Sequence, residues 1–387
     1  MALRELEKRL TSDGSSSTRV LRLLVASPWG TSEAYSGPVV LQNRLFGTLG
    51  RADGVQIDLL YRARDTSSRS EPWATRADRM LIARTLGLVS QMVWALRVAC
   101  VLSLRRGRYD YIHLHGAYLL NLLPALFADR KAKLLILPVL EAGDLNLANG
   151  GFRNLKVAIA RRVLRRAHTV FALSDGIAAE ARLYGVEDGR IVRIGNPVSD
   201  EFAVDRRVRD ARPFRLLFCG KLGPVKQPHR VLIAMKGLLD DGVDVESVFI
   251  GPYVDDEYKI FFEGLLASLN LTSRVTLLGF VSDVSAEYMR ELDAFVLPSK
   301  AEGLPGALSE AMFSALPVVV SNAGAMGEIV EDSAAGFVVG DDASLVAALR
   351  CLAADAEVWT RMSTNARAYA VREFSLLAVS TRYLSRL

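Results

Sequence analysis

The stretch AFVLPSKAEGLPGALSEAMFSALPVVVSNAGAMGEI, residues 294–329, decides the fold because a strand, a helix and a second strand follow one another in it. The apolar run 294–297 predicts a buried strand. Pro305 suits the first position of a helix, which we expect to continue to about Leu316. The apolar residues 318–320 then predict another strand. Such alternation is typical of a parallel α/β sheet.

Two carboxylates lie on either side of this loop-to-helix junction. Glu302 stands where the predicted helix opens, and Glu310 lies about a turn and a half further along. The start of a helix presents unpaired backbone N–H groups and a positive dipole end, which can hold phosphate or sugar oxygens. The residues at this start are Gly303, Leu304, Pro305 and Gly306. Glu310 can accept two vicinal hydroxyl groups, such as those of a ribose or a hexose.

Each glutamate also has a simpler interpretation. Glu302 can cap the helix and Glu310 can be a solvated helix residue, which is the commoner role of a glutamate. The neighbours of Glu310 weigh against this, because they make the helix apolar on most sides; they are Ala307, Leu308, Ala311, Met312 and Ala315. A buried carboxylate needs a partner, and a ligand is one candidate.

This segment resembles the E-x7-E signature of the retaining nucleotide-sugar glycosyltransferases of family four, which have the GT-B fold. Three further motifs carry the resemblance. LLFCGKLGPVKQP (216–228) resembles the family's strand, loop and helix that carry a basic pair. VTLLGFVSD (275–283) resembles the strand end that contacts the base. SNAGAMGEIVEDSAAGFVV (321–339) resembles the loop and strand that follow the E-x7-E segment. Four motifs in the right order are far more specific than any one.

The resemblance implies a nucleotide-diphosphate sugar as co-substrate and no cofactor. The catalytic residues would be Glu302, Lys221 and Lys226. The nucleotide would contact Gly220, Phe280, Val281 and Glu310. The sugar would contact the segment 303–306.

The two lysines follow a predicted strand, where they can neutralise a diphosphate and replace a metal ion. No acidic triad with ligand spacing is evident, so we predict metal independence. A solvated surface is the alternative interpretation of both lysines. The family usually has arginine where this chain has Lys221, which puts a compact charge in place of a bidentate fork.

Length and charge indicate two domains. A chain of 387 residues exceeds one ordinary core. Residues 1–200 hold 29 Lys/Arg against 18 Asp/Glu, so the first half is basic, and the second is mildly acidic. We expect an acceptor-side Rossmann-like domain at 1–195, a linker at 196–213, and a nucleotide-sugar-binding Rossmann-like domain at 214–370. In the resembled fold a terminal helix, here 371–387, packs back toward the first domain.

Strands and helices alternate in both predicted domains. In the first, strands are expected at 20–27, 55–60, 109–115, 133–140 and 169–173, and helices at 38–49, 121–127 and 177–183. In the second, further strands are expected at 214–219, 247–250 and 275–278. This order predicts parallel sheets covered on both faces. Ligands of such sheets bind outside the carboxyl ends of the strands, so the expected fold is GT-B, with two sheets facing across a cleft.

Candidate residues in the first domain are fewer. Gly37 ends the loop after the first strand and permits close backbone approach to a ligand. Glu141 stands where members of the family often have histidine, and it can accept an acceptor proton or orient the sugar, although a loop glutamate is more often solvated. His113 and His115 are expected to have core or capping roles, with at most one facing the cleft, and neither is assigned as catalytic.

A basic first half indicates an anionic partner. Nucleic acid is not expected as this partner, because aromatic residues are sparse and are not interleaved with the arginines. A membrane surface is a candidate, because the predicted helix 153–166 sets arginines against apolar residues; these arginines are Arg161, Arg162, Arg165 and Arg166. A solvated face is the alternative. Residues 85–104 approach the length of a membrane span, but Gln91 and Arg97 indicate a packed helix instead.

The three cysteines, Cys100, Cys219 and Cys351, have neither metal nor redox spacing, and the first eighteen residues are polar. We therefore expect a reduced, cytoplasmic protein, with peripheral attachment to the inner face of the membrane as a candidate location.

The predicted function is transfer of a sugar from a nucleotide-diphosphate donor to a hydroxyl of a glycan or lipid-linked acceptor. Retention of configuration rests on the resemblance alone. Two alternatives remain open: a catalytically silent nucleotide-binding subunit of a glycan-assembly complex, and a nucleotide-sugar epimerase of the same fold.

Overall fold

The computed structural model describes residues 20–29, 37–51, 54–63, 73–81, 87–117, 119–138, 153–204, 213–281 and 289–387. The chain divides into two compact units. Unit 1 contains Met1–Pro197 and Leu376–Leu387, and unit 2 contains Val198–Ser375. The division falls at residues 197 and 375, near the predicted boundaries at 195 and 370, and most of the predicted linker lies in unit 2.

Unit 1 is built on a parallel sheet. Its seven strands within the described residues lie in the order β3-β2-β1-β4-β5-β6-β7. They are β1 (Leu21–Ser27), β2 (Val55–Ala63), β3 (Arg76–Leu81), β4 (Tyr111–His115), β5 (Lys133–Leu137), β6 (Thr169–Ala172) and β7 (Ile191–Arg193). The helices that precede unit 2 are α1 (Gly37–Leu49), α2 (Gly87–Leu104), α3 (Leu119–Leu122), α4 (Arg153–Arg166) and α5 (Asp175–Leu183), with a 3₁₀ segment at Leu123–Phe127.

Unit 2 repeats this architecture. In the part of it that the structure describes, six parallel strands lie in the order β10-β9-β8-β11-β12-β13. They are β8 (Phe214–Cys219), β9 (Val245–Ile250), β10 (Val275–Gly279), β11 (Ala294–Leu297), β12 (Val318–Ser321) and β13 (Gly336–Val339). The helices are α6 (Pro228–Asp240), α7 (Asp256–Ser268), α8 (Gly306–Phe313), α9 (Met326–Ser333), α10 (Asp342–Ala354) and α11 (Ala356–Glu373).

Helices cover both faces of the sheet in unit 1. On one face, α2 to α5 share a buried core with the strands, to which Trp94, Leu114 and Val163 belong. On the other face, the last helix, α12 (Leu376–Leu384), packs on α1, and Tyr383 stacks on Phe171 with ring centroids 4.8 Å apart. The predicted class, α/β with two parallel-sheet Rossmann-like domains, is therefore confirmed.

Two predicted helices have different ends in the structure. The helix expected at 121–127 is instead α3 followed by the 3₁₀ segment, because Pro124 has no N–H to continue an α-helical ladder. The helix expected to reach Leu316 ends at Phe313. Ala315 has φ 57°, and the N–H of Leu316 donates to the carbonyl of Ala311 at 2.9 Å, which closes the helix in a Schellman turn before Pro317.

One strand was not predicted. The stretch 61–84, in which no strand was expected, contains the end of β2 and the whole of β3. β3 lies at the edge of the sheet and pairs with β2 alone among the described strands. An edge strand does not need the continuous apolar run by which a central parallel strand is recognised, so the pattern gave no signal.

The helix predicted to be packed, α2, is packed on one face only. Trp94, Val98 and Leu102 are buried, whereas Leu96 on the outer face is 66% exposed. Within the described stretches, no helix has both the length and the apolar character that crossing a bilayer requires.

Candidate active site

The sheet of unit 2 has a topological switch point between β8 and β11. β8 pairs with β9 on one side and with β11 on the other, and both pairings are parallel. The connections therefore leave β8 and β11 toward opposite sides of the sheet, which opens a crevice at the carboxyl ends of these strands. The loops after β8 and β11, which carry the predicted lysines and Glu302, meet at this crevice.

The loop after β8 begins with a glycine whose backbone conformation L side chains rarely adopt. Gly220 has φ 155°, and its N–H donates to the carbonyl of Ile250 at 2.8 Å. A Cβ at Gly220 would lie 2.7 Å from Cδ of Lys226. The absence of a side chain therefore lets Lys226 lie across the end of β8. Lys221, the next residue along the chain, is exposed.

Lys226 and Glu302 form an ion pair. Nζ of Lys226 lies 2.5 Å from Oε1 of Glu302, and the hydroxyl of Ser299 donates to the same oxygen at 2.7 Å. The side chains are 24% and 11% exposed, so water screens the pair little. An ammonium group carries three protons, so Lys226 can hold Glu302 and also donate to phosphate oxygens.

The loop after β12 fixes the backbone of Glu302. The N–H of Ala325 donates to the carbonyl of Gly303 at 2.8 Å. Gly324 has φ 56°, and a Cβ there would lie 2.0 Å from the carbonyl oxygen of Glu302 and 2.3 Å from that of Gly303. Only glycine permits this approach of one loop to the other, so Gly324 positions Glu302.

The start of α8 provides an anion-binding geometry beside Glu302. Gly306 is the first residue of the helix, which begins one residue later than predicted, and Pro305 is its N-cap residue. The first N–H groups of a helix have no intrahelical acceptor, and its dipole favours negative charge. A Cβ at Gly306 would meet no described atom within 4 Å, so the space beside this residue is open.

Glu310 belongs to the same electrostatic environment. It is half-buried on α8 between the buried residues Ser309 and Ala311. Burial, and to a smaller degree the negative charge of Glu310, raise the pKa of the Cys219 thiol to about 12, and the charge of Lys226 opposes this rise. The end of β8 therefore experiences both Glu310 and Lys226.

Phe280 and Val281 follow β10, the edge strand beside β9. Phe280 is 43% exposed. The carbonyl of Gly279 accepts the N–H of Gly251 at 2.7 Å, which holds the strand end against the β9 turn. An exposed aromatic ring here offers a face on which a nucleotide base can stack.

Two predicted residues do not belong to unit 2. Gly37 is exposed and is the first residue of α1 in unit 1. Glu141 lies outside the described residues. Unit 2 thus holds the predicted residues Gly220, Lys221, Lys226, Phe280, Val281, Glu302, Gly303, Leu304, Pro305, Gly306 and Glu310.

His113 and His115 lie on the same face of β4, because residues two apart in a strand project the same way, so strand geometry does not support the expectation that at most one of them faces the cleft. Both are buried, in line with a core role. Nδ1 of His113 lies 3.0 Å from the Tyr383 hydroxyl, Nε2 of His113 lies 3.4 Å from Nδ1 of His115, and Nε2 of His115 lies 2.9 Å from the carbonyl of Pro38.

The chain of hydrogen bonds through these histidines has one direction. Burial lowers the pKa of His115 to about 4, and burial and the charge of His115 lower the pKa of His113 well below its ordinary value, so both rings are neutral at pH 7. The carbonyl of Pro38 can only accept, so Nε2 of His115 carries its proton. His113 then donates from Nε2 to His115, and Tyr383 donates to His113.

Sequence reasoning missed Ser299, Gly324 and Tyr383. Ser299 has a local signal, since it precedes Glu302 by three residues, and Gly324 lies inside a motif that was recognised. Tyr383 has no such signal, because its partner His113 is 270 residues away in the chain.

Comparison with known proteins connects these observations to a family. The family described as "Glycosyl transferases group 1" matches residues 200–369, and the "Glycosyl transferase 4-like domain" matches residues 42–197. Among solved structures, Anabaena HepE in complex with UDP and glucose superposes with a TM-score of 0.71 at 18% identity, over 94% of this chain and 98% of that one. This likeness shows the GT-B fold.

Two curated relatives are similar in sequence. The UDP-Gal:alpha-D-GlcNAc-diphosphoundecaprenol alpha-1,3-galactosyltransferase of Escherichia coli is 31% identical over 170 residues, which are 42% of this chain and 42% of that protein. The lipopolysaccharide core biosynthesis mannosyltransferase LpcC of Rhizobium leguminosarum bv. viciae is 30% identical over 228 residues, 57% of this chain and 64% of that protein. Each alignment spans less than two thirds of the relative. The matches to the two families run almost without interruption from residue 42 to residue 369, and the chain belongs to the group 1 glycosyltransferases.

Proposed function

We propose that the protein transfers a sugar from a nucleoside-diphosphate donor to an acceptor hydroxyl, with retention of anomeric configuration. The observation that carries the proposal is the ion pair of Lys226 and Glu302 at the switch point of unit 2. It sets a cation suited to a diphosphate one hydrogen bond away from a carboxylate suited to sugar hydroxyls. Membership of the group 1 family supports this assignment.

The proposed chemistry assigns each charged residue a role. The bond between the anomeric carbon and the diphosphate oxygen breaks, and the acceptor oxygen bonds to the same face of that carbon. The departing diphosphate takes the proton of the acceptor hydroxyl. Lys221 and Lys226 stabilise the charge that develops on the diphosphate, Glu302 orients the sugar, and Glu310 accepts the ribose hydroxyls.

Neutral and backbone groups complete the proposed donor site. Gly220, Phe280 and Val281 contact the nucleotide, and the segment from Gly303 through Leu304 and Pro305 to Gly306 contacts the sugar. Two ammonium groups supply the positive charge for which many transferases use a divalent ion, so the reaction is proposed to be independent of metal.

Unit 1 is proposed to bind the acceptor. Gly37 is a candidate contact to the donor, and Glu141 remains a prediction. The basic character of residues 1–200 suits a glycan precursor linked to a lipid diphosphate, in the cytoplasm. The relative from Escherichia coli, whose name contains a diphosphoundecaprenol acceptor, supports this class of acceptor.

The test is incubation of the purified protein with labelled UDP-galactose, UDP-glucose or GDP-mannose and a bacterial lipid extract, with and without EDTA. We expect a labelled glycolipid and the release of one nucleoside diphosphate per sugar transferred. EDTA should not change the rate, and NMR should show that the transferred sugar keeps the anomeric configuration it had in the donor. Isomerised donor without transfer would identify an epimerase. Nucleotide binding without turnover of any donor would identify a silent subunit and refute the proposal.

A further inference from the structure

Helix α2 is apolar on both faces although it lies at the surface of unit 1. Its sequence, GLVSQMVWALRVACVLSL, has one charged residue, Arg97. Trp94, Val98 and Leu102 on the inner face belong to the core. A surface helix of a globular domain normally turns charged and polar residues outward. The outer face of α2 departs from this pattern, so we expect a partner to cover it.

The apolar residues of the outer face form one stripe, because each of Val89, Met92, Val93 and Leu96 has another of them three or four residues away, and Leu104 lies about two turns further along. We call them the α2 stripe, and they are Val89 (53% exposed), Met92 (56%), Val93 (44%), Leu96 (66%) and, at the helix end, Leu104 (86%). The 3₁₀ segment on which α2 packs adds Leu126 and Phe127, which are 37% and 46% exposed. Clustered exposed aliphatic side chains mark an interaction site rather than an ordinary surface.

Basic residues predominate around the stripe, and Asp129, which follows the 3₁₀ segment, is an acidic neighbour of Arg106. Neither α2 nor α4 contains an acidic residue, and both helices pack on the 3₁₀ segment. Arg97 and Arg106 are exposed at the stripe, and Arg161 and Arg162 are exposed on α4. Arg166, which the sequence placed with them, turns inward and donates to backbone carbonyls in and after the 3₁₀ segment. Exposed arginines therefore lie on both helices that pack on the 3₁₀ segment and in the loop after α2.

We propose that the α2 stripe inserts into the headgroup boundary of an anionic lipid bilayer, with these four arginines contacting lipid phosphates. Aliphatic side chains enter the acyl boundary, and a surrounding row of cations is drawn to anionic lipids. The helix lies in the plane of the membrane, since its inner face remains in the core of unit 1. Aliphatic side chains give nucleobases no surface for stacking, so a nucleic acid does not fit the stripe. The proposal goes beyond sugar transfer and does not depend on it.

Vesicle flotation tests the apolar part of the proposal, without any donor or acceptor. The wild type is expected to float with vesicles of 30% phosphatidylglycerol in phosphatidylcholine. The double variant Met92→Asp, Leu96→Asp should bind at least tenfold more weakly, because it loses aliphatic burial and gains repulsion. The matched control is Ile260→Asp, since Ile260 is 74% exposed on α7 in unit 2, where Asp256, Glu257 and Glu263 make the helix acidic.

The charge is tested by Arg97→Gln and Arg106→Gln, each expected to weaken binding about fivefold. Vesicles of phosphatidylcholine alone should bind weakly, and salt should reduce binding to the anionic vesicles. Free phosphate at the same charge concentration should not compete, which distinguishes a bilayer from a soluble phosphate.

Cys100 lies exposed in the same outer face and offers a direct probe. In a Cys351→Ser background, a polarity-sensitive fluorophore on Cys100 should shift to the blue when anionic vesicles are added. Circular dichroism melting controls for folding of each variant.

Three results would overturn the proposal. The first is a wild type that does not float with anionic vesicles, and the second is a stripe variant that floats as the wild type does. The third is a wild type that is dimeric by light scattering and becomes monomeric in the stripe variant, because a second copy would then cover the stripe. None of these results bears on the transferase assay, so the two proposals fail separately.

Discussion

Lys226 and Glu302 stand in loops that follow different strands, yet their charged groups lie 2.5 Å apart. The lysine comes from the loop after β8 and the glutamate from the loop after β11. Their contact joins the cation proposed for the diphosphate to the carboxylate proposed for the sugar. The two residues are therefore expected to behave as one unit, because a change in either alters the position and charge balance of the other.

This coupling predicts a non-additive double mutant. Glu302→Gln and Lys226→Met should each lower kcat/KM about 10²- to 10³-fold, because each removes a charge at the reacting bond. The kcat/KM of the double variant should be only slightly below that of the less active single variant, because the effects of two residues that act as a unit are not additive. Steady-state kinetics with the donor found in the transfer assay give the values, and additive losses would show that the contact has no role.

Glu302→Gln is also expected to lower turnover more than nucleotide binding. Glu302 is proposed to contact the sugar, whereas the nucleotide is held by other groups. Titration calorimetry with the nucleoside diphosphate, beside the kinetics, measures both. Equal losses in turnover and nucleotide affinity would contradict this division of roles.

Ser299→Ala tests the second hydrogen bond to Glu302. Its hydroxyl donates at 2.7 Å to the oxygen that also accepts from Lys226. Loss of this bond should remove about 1 kcal/mol of the interaction energy that holds Glu302 in place, and kcat should fall about fivefold. Ser268→Ala is the matched control, because Ser268 also donates its hydroxyl but does so to the Leu265 carbonyl at the end of α7. An unchanged kcat in Ser299→Ala would remove Ser299 from the site.

Gly324→Ala should disable the site through the backbone. The added Cβ would meet the carbonyl oxygens of Glu302 and Gly303, so the loop that carries Glu302 must move. We expect at least a 100-fold loss of kcat, in keeping with misplacement of a reacting group by about 1 Å. The control is Gly242→Ala, where φ is 81° and no described atom lies within 4 Å of the new Cβ. Backbone strain is common to both variants, and only Gly324→Ala adds crowding. Similar activity in the two would refute the positioning role.

The buried histidines predict that unit 1 loses stability in mild acid. Burial lowers the pKa of His115 from 6.5 to about 4 and lowers that of His113 well below 6.5. The unfolded chain therefore binds more protons as the pH falls below about 6.5, and stability falls through the window down to about pH 4. For His115 the shift corresponds to about 3 kcal/mol. Urea denaturation at pH 7.5 and pH 5 should show the loss.

The variant His115→Asn provides the control for this prediction. It removes one titrating ring, so the difference in unfolding free energy between the two pH values should shrink, whatever the stability of the variant at pH 7.5. A pH dependence equal to that of the wild type would assign acid sensitivity to other groups.

The sequence predicted those parts of the fold that short-range patterns encode. Central parallel strands are continuous apolar runs, so β8, β11 and β12 were found close to their actual bounds. The crevice carboxylates Glu302 and Glu310 were found because both lie in one motif. The edge strand β3 and the Schellman turn at Ala315 were missed, since polar residues can form the first and glycine is usual in the second.

The sequence alone could not reveal contacts between distant segments of the chain. The partner of Lys226 is 76 residues away and that of Tyr383 is 270 residues away, and no local pattern encodes either pairing. The exposed face of α2 was also missed, because an apolar run does not reveal which of its sides the core will cover.

Tyr383 has a consequence for synthesis on the ribosome. It lies in α12 and packs on Phe46, Phe171 and His113, all of which are made long before it. Residues 198–375 must be translated in between, which takes on the order of ten to forty seconds at ~5–20 residues per second. For that interval the nascent N-terminal half is an unfinished body with an uncovered aromatic face. Unit 1 can therefore complete its fold only after the C-terminal helix has been synthesised, and chaperones have a defined period in which to protect the uncovered face.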